Sequence, residues 1–389
     1  MKLSLVGLAL CVSFGLGCLV GDDATPADGD GDDGEGFQPD AANAKAIAIG
    51  FDGAADQFAY LADFYKIDKG QSTTRLCHGY FQWNVGSQPA HSGDVTDTSS
   101  RAYLDNWLTA AEGNCDEVLI AFKSMSNRAA PDEADYATAF DNFVATDWKT
   151  ETGYTGGFAF SPWNEPNNPA QPGNGLGVTI EASLSARYYL RAEAACRKHG
   201  CKVAAGDFAS NGDMWNDFEW NCSNDNVATN ELCNSFSDEN SAHAAASYLD
   251  KYKNEIAQHA NDAAYKLGDE FRPEYFAFHG WHDTNEYLDA ASHCSTYTDC
   301  AARRIEKSLG GSWGHVVLWD TEDGMGQKGA LSDHDQACGA AFLVRLASVT
   351  SRVKRVYITR LHGGTTEIAG RPALEVLANR EQTYATDCK

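Results

Sequence analysis

Short apolar runs of strand length recur along the chain, and segments with helical periodicity lie between them. Several runs are apolar on both faces instead of alternating, which is typical of parallel strands that are covered by helices. The runs span residues 46–53, 74–84, 117–124, 156–166, 202–210, 274–283, 315–324 and 355–364. We therefore predict a parallel sheet of eight strands.

Two of the intervening segments carry a clear apolar face. The first face comprises Leu104, Trp107, Leu108 and Ala111. The second runs from Ala245 to Leu267, where Gly268 would end the helix. Strands that alternate with helices in this way predict an α/β fold, a (β/α)8 TIM barrel with long βα loops stapled by disulfides. A doubly wound open sheet is the alternative, but no glycine-rich phosphate turn follows the first run.

Unusual polar and aromatic residues end several of the predicted strands. In a TIM barrel the C-terminal ends of all strands meet at one mouth, where active sites lie. We therefore expect a shared site that includes Trp83, Asn84, Trp163, Asn164, Glu165, His279, Trp281, His282, Glu322 and Arg360. Indole rings stack on sugar faces while polar groups bind hydroxyls, so this mouth is suited to a carbohydrate.

Two of these residues, Glu165 and Glu322, are candidates for catalysis. Glycoside hydrolysis needs one carboxyl group to donate a proton and a second carboxylate to attack or to activate water. A lone Asn-Glu-Pro sequence could also be a turn with a surface glutamate. Its position after a buried strand, and the matching glutamate on the seventh strand, favour a catalytic pair.

The motifs around both glutamates resemble a known family. SPWNEPN at 161–167 and LWDTEDG at 318–324 are similar to the two catalytic signatures of the clan A glycoside hydrolases. The resemblance implies a retaining, double-displacement mechanism on a β-linked glycoside or polysaccharide. Glu165 would be the general acid/base, Glu322 the nucleophile, and Asn164 the ligand of the sugar 2-hydroxyl. Burial and the charge of Glu322 would then raise the pKa of Glu165 toward about 6.

Two positions depart from the pattern of that clan. His279 matches the histidine of its His-x-Tyr signature, but Trp281 stands where the tyrosine would be. Arg360 stands on the eighth strand, which usually ends in a tryptophan under the sugar. The alternative function is therefore a catalytically inactive carbohydrate-binding surface lipoprotein on the same barrel.

Charge and cysteine content limit the other possibilities. The net charge of -25 argues against a nucleic-acid partner, which would need a basic face. No CxxC pair or HExxH motif occurs, so we expect neither a metal nor another cofactor. Of the 12 cysteines, ten remain once Cys11 and Cys18 are set aside, and an even number favours disulfides. The close spacings predict local bonds at 196/201, 222/233 and 294/300.

The N-terminal region predicts export. Residues 1–18 have the charge and apolar run of a signal peptide, and Gly17-Cys18 resembles the cleavage box of bacterial lipoproteins. Residues 19–41 form an acidic segment that predicts a disordered linker, and residues 42–389 form the predicted catalytic barrel. We expect an exported monomer, held by lipid on Cys18 in the outer or cell-surface membrane and facing the cell surface or periplasm. Ordinary signal cleavage would instead give a secreted protein.

Overall fold

Eight parallel strands close into a barrel in which each strand pairs with the next in the chain and the last pairs with the first. This computed structural model describes residues 40–68, 74–125, 130–168, 180–209, 244–280, 284, 305–306, 308–325, 331–359 and 367–388. The strands are β1 (Ala48–Asp52), β2 (Leu76–Gln82), β3 (Glu117–Lys123), β4 (Gly157–Ser161), β5 (Lys202–Phe208), β6 (Tyr275–His279), β7 (Val317–Asp323) and β8 (Val353–Thr359).

Helices surround this barrel. They are α1 (Ala41–Ala46), α2 (Phe58–Ile67), α3 (Arg101–Ala111), α4 (Glu133–Ala145), α5 (Trp148–Thr152), α6 (Ala182–His199), α7 (Ala244–His259), α8 (Asp333–Ser348) and α9 (Pro372–Asn379). The predicted (β/α)8 barrel is therefore confirmed. The described residues all belong to one unit that spans residues 37–389, and none of their helices is both long and apolar enough to cross a membrane.

Several predicted element boundaries need correction, including the end of β4, which lies at Ser161 instead of residue 166. Strand β8 begins at Val353, before the predicted start at residue 355. The apolar face on α3 is fully buried as predicted, but α7 ends at His259 instead of continuing to Leu267. The Asp262 side chain contacts the His259 ring at 2.8 Å, and Asp residues that bond locally compete with the helix. The apolar stripe beyond His259 therefore belongs to turns.

The barrel has two apolar layers. A large core lies between the strands and the helices. A separate cluster fills the barrel interior and is built from Leu76, Leu119, Ala159, Ala204, Ala277, Trp319 and Tyr357. Gly50 makes room for the Tyr357 ring, because a Cβ at this glycine would lie 2.6 Å from that ring. This apolar interior lies beneath the polar residues at the C-terminal ends of the strands.

Three disulfides lie within the described residues. Cys196–Cys201 is the local bond that the spacing predicts. Cys77–Cys115 and Cys338–Cys388 join more distant positions, with sequence separations of 38 and 50. The predicted 222/233 and 294/300 bonds lie outside the described residues.

We expect two of these disulfides, Cys196–Cys201 and Cys338–Cys388, to differ in their contribution to stability. Replacing Cys338 and Cys388 by Ser should lower the free energy of unfolding by about 4 kcal/mol, because this bond closes a long loop. Replacing Cys196 and Cys201 by Ser should cost only about 2 kcal/mol, because their loop is short. Urea denaturation followed by tryptophan fluorescence measures both values. Equal losses in the two double variants would contradict the loop-length argument.

Candidate active site

Glu165 is held at the end of β4 by backbone hydrogen bonds to both neighbouring strands. Asn164 N donates to Phe122 O at 2.8 Å, and Glu165 N donates to Asp207 O at 2.9 Å. Glu165 has φ of 46°, in the left-handed region that residues other than glycine rarely occupy. Such strain persists only where the surroundings enforce it. The backbone at this position is therefore fixed from two sides, and the side chain points in one direction.

A bulge in β7 positions Glu322. Phe278 on β6 pairs with Asp320, but the next residue, His279, pairs with Glu322, so Thr321 is an extra residue in β7. The pairing of β7 with β8 is shifted between Asp320 and Asp323 as well. A bulge re-aims the side chains that follow it. Here it places Glu322 beside the end of β6.

His279 connects the two glutamates. Its Nδ1 atom lies 2.9 Å from Glu165 Oε1 and 2.9 Å from Glu322 Oε2. The contacting atoms of the three side chains all lie within 4.8 Å of one another. This distance is compatible with the separation of about 5 Å in retaining glycosidases and is shorter than the roughly 6.5 to 9.5 Å of inverting ones.

Asp207 on β5 is a fourth member of the cluster, and no sequence motif indicates it. Its carboxylate is fully buried and lies 3.3 Å from His279 Nε2. The hydroxyl groups of Ser161 and Thr321 both donate hydrogen bonds to it. The only signal in the sequence is an acidic residue inside an otherwise apolar run, 202–210.

Burial and charge oppose each other on His279. Burial lowers the pKa of the imidazole, but the negative charges of Glu322 and Asp207 and the contact with Glu165 raise it well above its usual value. The ring is therefore an imidazolium at neutral pH, surrounded by three carboxylates. This positive charge allows the carboxylates to lie so close together in a buried site.

The expectation of a raised pKa for Glu165 is wrong for this arrangement. Burial does raise the pKa of Glu165, but the hydrogen bond and charge of His279, and a hydrogen bond from Asn168, outweigh it and leave the pKa lowered. Asn168 Nδ2 donates to Glu165 Oε2 at 2.9 Å. The proton that a general acid would need is held on the neighbouring ring, 2.9 Å from Glu165 Oε1.

A second acidic pair, Asp320 and Asp323, lies behind Glu322. Gly280 N donates to Asp320 Oδ1 at 2.8 Å, and a Cβ on Gly280 would lie 2.2 Å from Asp320 Oδ2. Burial and the charge of Asp323 raise the pKa of Asp320 well above its usual value. Burial also raises the pKa of Asp323 to about 6, despite the hydrogen bonds from Asp320 and Gly324. The pair therefore shares one proton at neutral pH and spans the bulge.

The barrel interior beneath the cluster contains a neutral histidine. His78 on β2 is fully buried, and burial lowers its pKa to about 3. Its ring centroid lies 4.6 Å from that of Tyr80 and 5.5 Å from that of Tyr357. Among the described residues, neither ring nitrogen of His78 has a hydrogen-bond partner. His279 is thus the charged imidazole of this region.

The other predicted site residues have different surroundings. Asn164 is 2% exposed, and its Oδ1 atom has no hydrogen-bond partner within the described part of the chain. Asn84 Oδ1 is likewise buried without a described partner, and Trp83 is partly buried against the core. Trp163 is 1% exposed and packs on Tyr188 with a centroid separation of 5.4 Å. Its ring is therefore a core element in this structure.

The remaining substrate-binding candidates, Trp281, His282 and Arg360, lie outside the described residues. The structure brings together the side chains of Glu165, His279 and Glu322 and adds Asp207 to them, while Asn164 directly precedes Glu165 in the chain.

The donor atoms of Glu165, His279 and Glu322 are close enough to surround a divalent cation. The same contacts suit an acid–base site, because the raised pKa of His279 gives the ring a proton that it can share with the two glutamates. A second group, His334, Cys338 and Cys388, has comparable spacing, but its two cysteines form a disulfide.

The pKa of Asp323 predicts how stability depends on pH. A carboxyl group whose pKa is raised by folding stabilises the protein at low pH, and this contribution is lost as the pH rises through its folded-state pKa of about 6. Asp323→Asn cannot lose a proton. The free energy of unfolding of this variant, relative to wild type, should therefore increase by up to about 3 kcal/mol between pH 4 and 8. Urea denaturation across this range measures the change, and a constant difference would contradict the shared proton.

Solved structures of other proteins have a similar fold. The structure is similar to a GH39 β-xylosidase from Caulobacter crescentus, with 13% identity, a TM-score of 0.51, and coverage of 88% of this chain and 71% of that one. It is similar to a GH39 enzyme from Xanthomonas axonopodis pv. citri, with 13% identity, a TM-score of 0.53, and coverage of 88% and 66%. A glucosidase from Croceicoccus marinus has 13% identity, a TM-score of 0.49, and coverage of 82% and 61%.

The chain thus spans less than two thirds of the length of the Croceicoccus and Xanthomonas proteins. No family model and no curated protein matches the sequence. At 13% identity the likeness is one of fold alone: this chain shares a TIM barrel with the two GH39 proteins.

Proposed function

We propose that the protein is a retaining glycoside hydrolase that cleaves a β-linked glycoside or polysaccharide by double displacement. The observation that carries this proposal is the contact of Glu165 and Glu322 with one ring nitrogen of His279, at 2.9 Å each. It supports two carboxyl groups, that of Glu165 buried and that of Glu322 partly exposed, at the separation that a covalent glycosyl intermediate requires. Their position at the C-terminal ends of β4 and β7 is where TIM barrels carry active sites.

In the first step, a carboxylate oxygen of Glu322 forms a bond to the anomeric carbon, and the bond from that carbon to the leaving oxygen breaks. The Nδ1 proton of His279 passes to Glu165, and Glu165 gives it to the leaving oxygen. In the second step, water attacks the anomeric carbon, Glu165 accepts a proton from it, and the ester bond to Glu322 breaks. The proton that Glu165 donates comes from the site itself, because the His279 imidazolium contacts Glu165 Oε1 directly.

Asn164 is the proposed ligand of the 2-hydroxyl group next to the reacting carbon. Its buried Oδ1 atom, which has no partner among the described residues, would accept a hydrogen bond from that hydroxyl. An unpaired buried acceptor is costly, and a sugar hydroxyl would satisfy it. Trp83, Asn84, Trp281, His282 and Arg360 remain proposed contacts with the rest of the substrate.

Removing each glutamate should affect activity differently. Glu322→Ala lacks the nucleophile and should lower kcat by several orders of magnitude on every substrate. Glu165→Ala lacks the proton donor, so it should lose much activity on substrates with poor leaving groups and little in glycosylation of a dinitrophenyl glycoside, whose phenolate leaves unprotonated. Initial rates on a panel of aryl β-glycosides measure these effects.

The same variants distinguish the mechanism from its alternatives. Azide should restore turnover of Glu165→Ala and give a β-glycosyl azide, because a small anion can attack the covalent intermediate without a general base. A first product of inverted configuration, or equal losses in both variants on all leaving groups, would rule out this mechanism. A wild type that binds sugars, seen as quenching of tryptophan fluorescence, but turns over none of the panel would support the inactive carbohydrate-binding alternative.

We further propose that the protein is exported and anchored through lipid on Cys18. The disulfides of the described residues are typical of exported proteins, and the Gly17-Cys18 sequence supports lipoprotein processing. Two or more acyl chains give stable anchoring. Cys18→Ser should therefore move the protein from the membrane fraction to the soluble fraction on ultracentrifugation, detected by immunoblot. A soluble wild type with an unmodified N-terminus would contradict the anchor.

A further inference from the structure

The two ring nitrogens of His279 contact different groups. Nδ1 contacts Glu165 and Glu322, and Nε2 forms a longer ion pair with Asp207 Oδ1, at 3.3 Å and without the geometry of a hydrogen bond. We propose that Asp207 is the positioning residue of the site: its buried carboxylate keeps the Nε2 proton on His279, so that Nδ1–H remains directed at the two glutamates. The use of this proton in the acid step rests on the proposed function. The contact of Asp207 with the His279 ring does not rest on it.

Asp207 is itself fixed from several directions. Ser161 Oγ donates to one carboxylate oxygen, and Thr321 Oγ1 donates to the other. Thr321 is the extra residue of the β7 bulge, so the same contact ties Asp207 to the element that aims Glu322. A carboxylate with two hydroxyl donors and a facing cation stays ionised although it is buried. Burial raises the pKa of Asp207, but the charge of His279 and these hydrogen bonds leave it lowered.

The backbone of β5 is strained at Asp207, and this conformation turns the Asp207 side chain inward. Asp207 has φ of 63°, Gly206 has φ of 87°, and the pairing of β5 with β6 shifts between Gly206 and Phe208. A Cβ on Gly206 would lie 2.8 Å from Ala277 O, which restricts that position to glycine. A strained residue that directs a buried charge at the central ring is a reason to infer a function.

The other charged groups near His279 do not duplicate this effect. Among the described residues, the other ionisable groups near His279 include Glu165 after β4, Glu322 and Asp320 on β7, and the neutral ring of His78 on β2. The glutamates contact Nδ1, and Asp320 holds a proton. Asp207 is thus the described carboxylate in contact with Nε2.

The substitution Asp207→Asn removes the charge with little change of shape. Asparagine tolerates the left-handed backbone conformation, and its amide oxygen can still accept the hydrogen bond from Thr321. Without the negative charge, the imidazolium is less stable, so His279 should lose its proton at a pH lower by about one unit or more. Since the pKa of His279 is raised by folding, its proton is present at low pH and lost as the pH rises.

The test is a pH titration of histidine ring ¹⁵N shifts by NMR, without substrate. The His279 signal is identified by its loss in His279→Gln. In wild type we expect both ring nitrogens to stay protonated above the pH at which exposed histidines have titrated, and in Asp207→Asn we expect the titration to move down. Asp105→Asn is the matched control. Asp105 is also buried, but it pairs with Arg101 at 2.7 Å, so this variant should leave the His279 titration unchanged.

Kinetics supply an independent readout. If the proposed hydrolase activity is present, the alkaline limb of kcat/KM should shift to lower pH in Asp207→Asn, with KM within about twofold of wild type. In a His279→Gln background, Asp207→Asn should cause no further shift of this limb. A purely structural role would instead lower the melting temperature and leave the limb in place.

The outcomes separate the two proposals. A neutral His279 ring in wild type at pH 7 overturns the inference without any variant, and so does an unchanged titration in a folded Asp207→Asn protein. If the titration shifts but no glycoside is hydrolysed by wild type, the positioning role is supported and the proposed function fails. If glycosides are hydrolysed but the titration does not move, the function is supported and the role of Asp207 is wrong.

Discussion

The contact of His279 Nδ1 with Glu165 and Glu322 is the interaction on which the arrangement of this barrel mouth depends. Two carboxylates whose contacting atoms lie within 4.8 Å of each other repel strongly where water is excluded, unless a positive charge lies between them. The imidazolium supplies that charge. Its stability depends in turn on the carboxylates around it, so His279, Glu165 and Asp207 hold one another in their ionised forms.

Irregular backbone is concentrated around this cluster. Glu165 and Asp207 both have positive φ, and their backbones are joined by a hydrogen bond of 2.9 Å. Strands β5 and β7 each contain a shift of register beside the site. A regular strand alternates its side chains between the barrel interior and the helices, and it cannot direct consecutive residues to one place. The bulges interrupt the regular pairing of strands at the mouth. The apolar cluster in the barrel interior beneath them keeps the barrel closed.

The sequence predicts much of this structure because the signals are local. Apolar runs mark the strands, and Glu165, His279 and Glu322 follow or end those runs, so a barrel brings them together. Asp207 could not be predicted, because only the bulge turns it inward, and a bulge depends on pairing with β6 that the local pattern does not contain. The lowered pKa of Glu165 could not be predicted for a related reason. The sequence indicates a second carboxylate near Glu165, but it does not show the imidazolium that lies between the two carboxylates. Trp163 lies in the most informative motif, yet its ring packs on Tyr188 in the core.

Both ends of the described chain are attached to one helix, α8. Near the N-terminal end, Asp40 N and Asn43 Nδ2 donate to Ser348 O at 3.4 and 3.2 Å, and near the C-terminal end Cys388 is bonded to Cys338. Ser348 ends α8 and precedes β8, so it lies at the face where strands begin, opposite the mouth. A barrel immobilised on a bead or electrode through Asp40 would therefore present its mouth outward, away from the support.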